Sequence, residues 1–231
     1  MSRRICLQSG HKDVVTGATG APGERDWTTE IVPLISAKLK TLGFEVYETD
    51  ALAQRDPRVV NTDWNLFLAI HYDADIYNDR GGFIDTPDHS VDYVTAESTR
   101  IAAALKSIYF TATKIPEKPQ RSNANTKFYY MWQYLSANTP CVLIECGIGN
   151  RFPEDHDTLF LKKDTVVQAI VDGIGKAFGY EVTPTPGLEE RIRNLEMLLE
   201  QTETELKSEQ KKSLLKDEAI RKAINSLSKI I

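Results

Sequence analysis

Residues 66–71 read Leu66-Phe67-Leu68-Ala69-Ile70-His71, an uninterrupted apolar run that leads directly into a histidine. A short run of this kind is typical of a strand that is buried on both faces of a parallel sheet. Similar runs occur at Ile5–Leu7, Glu45–Tyr47 and Cys141–Ile144. These four segments are the predicted strands of the fold.

Between the strands, apolar residues recur at the spacing of amphipathic helices. One stripe extends from Ile31 to Leu42, a second from Ile101 to Ile108 and a third from Val166 to Ile174. Alternation of strands and helices predicts an α/β fold, a twisted and mostly parallel sheet with helices on both faces.

The composition excludes several classes of protein. The chain has 231 residues, with 28 Lys+Arg against 33 Asp+Glu and a net charge of −5, so it lacks the basic excess of a nucleic-acid binder. No apolar stretch is long enough for a membrane span. Three cysteines are too few for a disulfide scaffold. Met1–Gly10 lacks the apolar core of a signal peptide, which predicts a protein made in a reducing compartment.

A boundary in composition divides the chain. No glycine, proline or aromatic residue follows Gly187, and the segment Thr183-Pro184-Thr185-Pro186 has the alternating prolines of a stiff linker. We predict a globular domain over residues 1–180, a linker over 181–187 and a helical tail over 188–231.

The tail carries apolar residues at a coiled-coil-like spacing. Ile192, Leu199 and Leu206 are seven residues apart, and Ile220 and Leu227 continue the series after a polar interruption at Ser213. A helix with such a narrow stripe cannot bury the stripe alone, so self-association into a homo-oligomer is the preferred prediction. Folding back onto the domain, binding another partner and acting as a plain spacer are the alternatives.

Side chains suited to metal binding or proton transfer follow three predicted strands. His11 follows the first strand, His71 ends the third and Glu145 ends the fourth, while Glu24 comes after a glycine-rich loop that could return it to His11. Each residue alone is more often structural than functional. Together they lie where ligands bind in open α/β sheets, and two imidazoles with one carboxylate are a typical catalytic zinc site. A further glutamate is then the usual proton carrier.

The same residues resemble a known family, the zinc-dependent N-acetylmuramoyl-L-alanine amidases of the type-3 family. Gly10-His11 with Glu24 is similar to its opening motif, and 69–74 (Ala-Ile-His-Tyr-Asp-Ala) to its second histidine motif. Gly82-Phe83 matches the glycine–aromatic pair that follows. The segment 139–145, with Gly147 and Asn150, resembles its Pro-x-Val-Leu-x-Glu-x-Gly segment. The resemblance spans about residues 4–178.

The resemblance implies a site and an activity. His11, Glu24 and His71 would bind one Zn²⁺ ion, and Glu145 would be the catalytic glutamate. The substrate would be peptidoglycan, cleaved at the amide bond between N-acetylmuramic acid and L-alanine of the stem peptide. Because such enzymes without a signal peptide are often phage endolysins, we expect host-cell lysis, with the protein in the host cytoplasm before its release to the wall.

Two other segments each allow two interpretations. Residues 128–134 are dense in aromatic side chains, for which core packing is favoured over stacking on sugar. Residues 114–121 are basic and proline-containing, and are interpreted as a solvated loop or a contact for stem-peptide carboxylates.

Asp73 stands where the family usually has asparagine, which alters the hydrogen bonding or the charge of the site.

Two other functions remain open. One is another zinc peptidase or deacylase on a similar fold. The other is a non-catalytic wall-binding or assembly protein, in which the tail would be the important part.

Overall fold

The computed structural model describes residues 3–12, 21–74, 76–87, 96–122, 124–127 and 129–181, and scattered helical residues between 197 and 216. The chain divides into two units, Met1–Thr185 and Pro186–Ile231. From residue 182 onward the predicted linker lies outside the described residues. The bounds 181–187 therefore stay a prediction.

The described residues form a five-stranded sheet with the order β2-β1-β3-β5-β4. Its strands are β1 (Arg4–Ser9), β2 (Glu45–Thr49), β3 (Leu66–Asp73), β4 (Phe83–Asp85) and β5 (Cys141–Ile148). The pairs β1–β2, β1–β3 and β3–β5 are parallel, and β4 is antiparallel to β5. The predicted α/β fold with a mostly parallel sheet is confirmed. Strand β4 was not predicted, because three residues are too few to show a period.

The helices include the three that the apolar stripes predict. The α-helices are α1 (Glu24–Thr41), α2 (Ala96–Thr113), α3 (Ala124–Lys127), α4 (Pro153–His156) and α5 (Lys163–Ala177). Short 3₁₀-helices occupy Ala53–Arg55, Pro119–Arg121 and Trp132–Tyr134, and a π-helical turn occupies Asp157–Leu161. Within the described residues, none of the helices combines the length and the apolar character that crossing a bilayer requires.

The start of α1 determines where Glu24 lies. Gly23 precedes the helix with φ of 87°, a left-handed conformation that glycine adopts without steric cost. Glu24 and Asp26 lie in the first turn, and Lys38 and Lys40 in the last. These charges interact favourably with the helix dipole at both ends and so stabilise the helix. Glu24 is therefore the first helical residue, and its carboxylate accepts hydrogen bonds from the buried backbone N–H groups of Ala21 and Tyr72.

Two hydrophobic cores cover the two faces of the sheet unequally. The first core contains the long helices α1, α2 and α5, which pack on Ile5, Leu68 and Ile144. The second core contains alternate strand residues, such as Cys6 and Phe67, under loops and short helices. Because side chains alternate along a strand, His71 points to the second face, as Phe67 and Ala69 do.

The contact between α2 and α5 depends on the absence of a side chain at Gly173. A Cβ atom at this position would lie 2.5 Å from Cδ1 of Leu105 and 2.9 Å from its Cα. The second atom is backbone, so the clash cannot be relieved by a change of rotamer alone. The two helices approach closely because of this glycine.

We predict that Gly173→Ala destabilises the protein. Alanine improves helix propensity by about 1 kcal/mol, but the steric overlap with α2 costs about 1–3 kcal/mol. Denaturant unfolding should therefore show a lower free energy of unfolding for the variant. A free energy of unfolding equal to or above that of the wild type would show that α2 and α5 can move apart to accommodate the methyl group without cost.

Candidate functional site

The structure brings three of the predicted site residues together at the carboxyl end of the sheet. One ligand atom from each of His11, Glu24 and His71 lies within 4.8 Å of the other two. His11 follows β1, Glu24 begins α1, and His71 lies on β3. The residues come from separate elements, and the fold alone makes them neighbours.

The imidazole of His71 is nearly buried and is held from both sides. Its Nδ1 lies 2.9 Å from Oε1 of Glu24, and its Nε2 lies 3.1 Å from the hydroxyl of Tyr129. The ring of His11 meets it edge-on, with 5.2 Å between the ring centroids. The orientation of His71 is thus set by contacts at both ring nitrogens.

Gly10 makes room for this imidazole. A Cβ atom at position 10 would lie 2.4 Å from Nδ1 and 2.5 Å from Cε1 of His71. The backbone N–H of Gly10 donates to the carbonyl of Ile70 at 3.0 Å, so β1 continues alongside β3 up to this point. Only glycine lets the chain pass so close to the ring.

The Glu24 carboxylate is 2% exposed and accepts hydrogen bonds from two backbone groups. Its Oε2 accepts from the N–H of Ala21 at 2.9 Å, and its Oε1 accepts from the N–H of Tyr72 at 3.3 Å. Oε2 also lies 3.5 Å from Nε2 of His11. These contacts hold the carboxylate between the two imidazoles.

The turn before Glu24 is fixed by a shared acceptor. The hydroxyl of Tyr72 and the side-chain amide of Asn150 both donate to the carbonyl of Pro22, at 2.6 Å and 2.5 Å. The resemblance pointed to Asn150 without giving it a role. The structure shows that Asn150 links the loop after β5 to the start of α1.

His11 has an unusual backbone conformation. Its φ is 57°, in the left-handed region, which costs a residue with a side chain about 1–3 kcal/mol. The preceding carbonyl, of Gly10, accepts a hydrogen bond from the hydroxyl of Thr28 on α1 at 2.6 Å. Strain of this kind concentrates at functional sites, and here it turns the imidazole of His11 towards Glu24.

Glu145 lies beside His71 across the β3–β5 pair. The register places His71 opposite Glu145 and then shifts, so that Asp73 pairs with Ile148. The Oε2 atom of Glu145 is buried and has no hydrogen-bond partner among the described residues. Burial, followed by the negative charges of Glu24 and Asp73, raises the pKa of Glu145 well above its usual range. This carboxyl group can therefore hold a proton.

Asp73 and Arg121 form a buried ion pair near these carboxyl groups. Burial raises the pKa of Asp73 to about 6, although the N–H of Ala74 and the charge of Arg121 act in the opposite direction. Arg121 is 4% exposed and contacts Oδ2 of Asp73 at 3.4 Å, the carbonyl of Gly81 at 2.8 Å and Oδ1 of Asp79 at 2.8 Å. Arg121 therefore does not belong to a solvated loop, contrary to the interpretation of residues 114–121.

The cysteines contribute no metal site. Cys6, Cys141 and Cys146 are buried free thiols, and burial raises the pKa of each well above its usual range. A thiol must lose its proton to bind a metal strongly. The three cysteines therefore act as small apolar side chains.

Two further residues at the site were missed by the analysis of the sequence. Tyr129 contacts His71 directly, and its hydroxyl donates to the side chain of Gln8, on β1, at 3.0 Å. Met131 and Trp132 from the same aromatic segment are buried in the second core, as core packing predicts. A glutamine within an apolar strand was the available signal for Gln8, since a buried amide needs partners.

Solved structures with the same fold include bacterial amidases and the catalytic domain of an endolysin. The CwlD amidase of Clostridioides difficile, solved in complex with the GerS lipoprotein, is 17% identical with a TM-score of 0.58, covering 77% of this chain and 98% of that one. The catalytic domain of CwlV from Bacillus (Paenibacillus) polymyxa var. colistinus is 16% identical with a TM-score of 0.55, covering 78% and 99%. The catalytic domain of the CD27L endolysin targeting Clostridia difficile is 15% identical with a TM-score of 0.55, covering 78% and 99%.

These identities are low enough that each similarity shows the fold alone. Among curated proteins, no sequence matches this chain closely enough to serve as a relative. The profile of the N-acetylmuramoyl-L-alanine amidase family, however, matches residues 5–177, which is most of the chain and includes all four predicted site residues. The chain therefore belongs to the N-acetylmuramoyl-L-alanine amidase family.

Proposed function

We propose that the protein is a zinc-dependent peptidoglycan hydrolase. It cleaves the amide bond between N-acetylmuramic acid and L-alanine of the stem peptide. His11, Glu24 and His71 bind one Zn²⁺ ion, and Glu145 is the catalytic residue. The observation that carries the proposal is the convergence of these three ligand atoms within 4.8 Å, in a chain of the amidase family.

The donor set suits zinc. Two imidazole nitrogens and one carboxylate oxygen are common ligands of catalytic zinc sites, which leave one position open for water or substrate. The local charge also favours a cation, because Glu24, Asp73 and Glu145 lie close together in a buried region, where the charge of Glu24 helps to raise the pKa of Asp73 and of Glu145. Arg121 compensates part of this negative charge at Asp73.

An amide is a poor electrophile, and neutral water is a poor nucleophile. A bound zinc ion would supply the Lewis acidity that activates both the amide carbonyl and the water molecule. Glu145 accepts the proton of the attacking water and delivers it to the departing amine of L-alanine. Its raised pKa suits the second half of this task, because a carboxyl group that holds its proton readily is an effective general acid.

We also propose a lytic role, with the enzyme accumulating in the host cytoplasm before it reaches the wall. The fold shared with the catalytic domain of the CD27L endolysin supports this role. An enzyme of this kind must degrade intact cell wall as well as isolated fragments.

The activity is tested on purified peptidoglycan with Glu145→Gln as the key variant. The wild type should clear the suspension and release the amino group of L-alanine without forming reducing sugar ends. Loss of the proton carrier should lower the rate by about 100-fold or more, while zinc content measured on the same sample stays unchanged. A variant that clears at the wild-type rate would remove Glu145 from the mechanism.

Three outcomes of the same assay favour the competing functions. New amino termini within the stem peptide would indicate a peptidase, and free acetate would indicate a deacylase. Clearing that is unaffected by a chelator would exclude zinc dependence. No release of any new end group would favour a wall-binding or assembly protein.

Gly10→Ala tests whether His71 belongs to the metal site. The new methyl group would displace the imidazole, so zinc affinity measured by chelator competition should fall by at least about tenfold. Gly43→Ala is the matched control. Gly43 has φ of 88°, and a Cβ atom added there would have nothing within 4 Å. The alanine therefore introduces backbone strain without a contact to the site. Equal zinc affinity in the two variants would contradict the assignment of His71.

We propose that the tail forms a homo-oligomer. Leu199 and Leu206 are helical, seven residues apart, and 61% and 58% exposed, so both are available for a second chain. We predict that sedimentation at micromolar concentration shows an oligomer, and that Leu199→Glu with Leu206→Glu shows a monomer. A monomeric wild type would refute self-association, and the catalytic assay of both proteins provides the control for folding of the domain.

A further inference from the structure

The imidazole of His71 has a partner at each nitrogen, and the partners differ in kind. Nδ1 faces the Glu24 carboxylate, and Nε2 faces the Tyr129 hydroxyl at 3.1 Å. A neutral imidazole carries its proton on one nitrogen only, and a metal binds the other. The proton's position therefore decides whether His71 presents a usable lone pair to the metal site.

The orientation of the Gln8 amide decides which way the Tyr129 hydroxyl points. The Nε2 atom of Gln8 lies 3.2 Å from the backbone carbonyl of Asp50, which can only accept a hydrogen bond. The amide nitrogen must therefore face Asp50, and the amide oxygen must face Tyr129. The distance between this oxygen and the Tyr129 hydroxyl is 3.0 Å.

Tyr130 fixes the same amide a second time. The Nε2 atom of Gln8 donates to the hydroxyl of Tyr130 at 2.9 Å, and this hydroxyl gives its own hydrogen to the carbonyl of Ala51. Both hydrogens of the Gln8 amide are thus engaged with acceptors. Reversing the amide would place its oxygen against the Asp50 carbonyl and lose both bonds.

It follows that the Tyr129 hydroxyl gives its hydrogen to Gln8 and turns a lone pair towards His71. A phenol hydroxyl keeps its proton at neutral pH, so the Tyr129 hydroxyl has one hydrogen to give. Only an N–H group can donate to the lone pair, which places a proton on Nε2 of His71. In the neutral ring the lone pair then lies on Nδ1, 2.9 Å from Oε1 of Glu24, and two acceptors this close favour a cation bound between them.

We infer that Tyr129, oriented by Gln8, is a positioning residue that holds His71 with its proton on Nε2 and presents Nδ1 to the metal. The inference rests on the metal site of the proposed function and adds two residues to it. Partners of this kind fix the tautomer and the ring orientation of a metal-binding histidine, and their loss commonly costs 10–100-fold in metal affinity.

Tyr129→Phe removes one oxygen atom and leaves the ring in place against Tyr130 and Trp132. We expect the dissociation constant for Zn²⁺, measured on the full chain by chelator competition, to rise by about 10–100-fold. Tyr47→Phe is the matched control, because Tyr47 is also half-buried and loses a hydroxyl bond to Asp56 without touching His71. Its zinc affinity should stay within about twofold of the wild type.

A spectroscopic measurement on the wild type tests the same inference without any variant. Long-range proton–nitrogen correlation spectra of the zinc-loaded protein should show His71 bound through Nδ1 with a proton on Nε2. A spectrum with zinc on Nε2 would overturn the inference. So would a Tyr129→Phe protein that binds zinc as tightly as Tyr47→Phe.

Failure of the proposed function gives a different result. A wild-type protein that binds no zinc would refute the metal site itself, whatever the variants do. If Tyr129→Phe does not fold, as judged by thermal melting without metal, Gln8→Met provides the second variant. It keeps a similar side-chain volume, removes the acceptor of the Tyr129 hydroxyl, and should weaken zinc binding in the same direction.

Discussion

The parallel pairing of β3 with β5 is the constraint on which the site depends. Its register runs from Phe67 opposite Cys141 to His71 opposite Glu145. Both strands are buried on both faces, so a shift by one residue would turn every side chain to the opposite core. Such a shift would send His71 under the long helices, away from Glu145. The hydrophobic pattern of two strands thereby fixes the distance between a proposed metal ligand and the proposed catalytic carboxyl group.

The site concentrates negative charge in a buried region. The charge of Glu24 contributes to the raised pKa of Asp73, and the charges of Glu24 and Asp73 contribute to the raised pKa of Glu145. Burying carboxylates is unfavourable unless cations or hydrogen bonds compensate for lost hydration. Backbone N–H groups stabilise Glu24, and Arg121 stabilises Asp73. Glu145 has an unpaired buried oxygen, which fits both its raised pKa and a residue that transfers protons.

Much of this architecture follows from local patterns in the sequence. Apolar runs identify four strands, and the rule that ligands bind at their carboxyl ends places His11, His71 and Glu145 together before any geometry is known. The roles of Tyr129 and Arg121 could not be predicted from the sequence, for a physical reason. Their partners, Gln8 and Asp73, are 121 and 48 positions away in the chain. Spacing and periodicity carry no information about hydrogen bonds between such distant residues, which only the folded backbone brings together.

We propose a zinc centre at the carboxyl ends of β1 and β3, built from two histidines and one glutamate. Anomalous diffraction at the zinc absorption edge, on crystals grown with Zn²⁺, tests this claim most directly. We expect one strong peak within bonding distance of Nδ1 of His71, an imidazole nitrogen of His11 and the Glu24 carboxylate. A zinc-saturated crystal with no peak among these atoms, or with the ion bound only elsewhere, would contradict it.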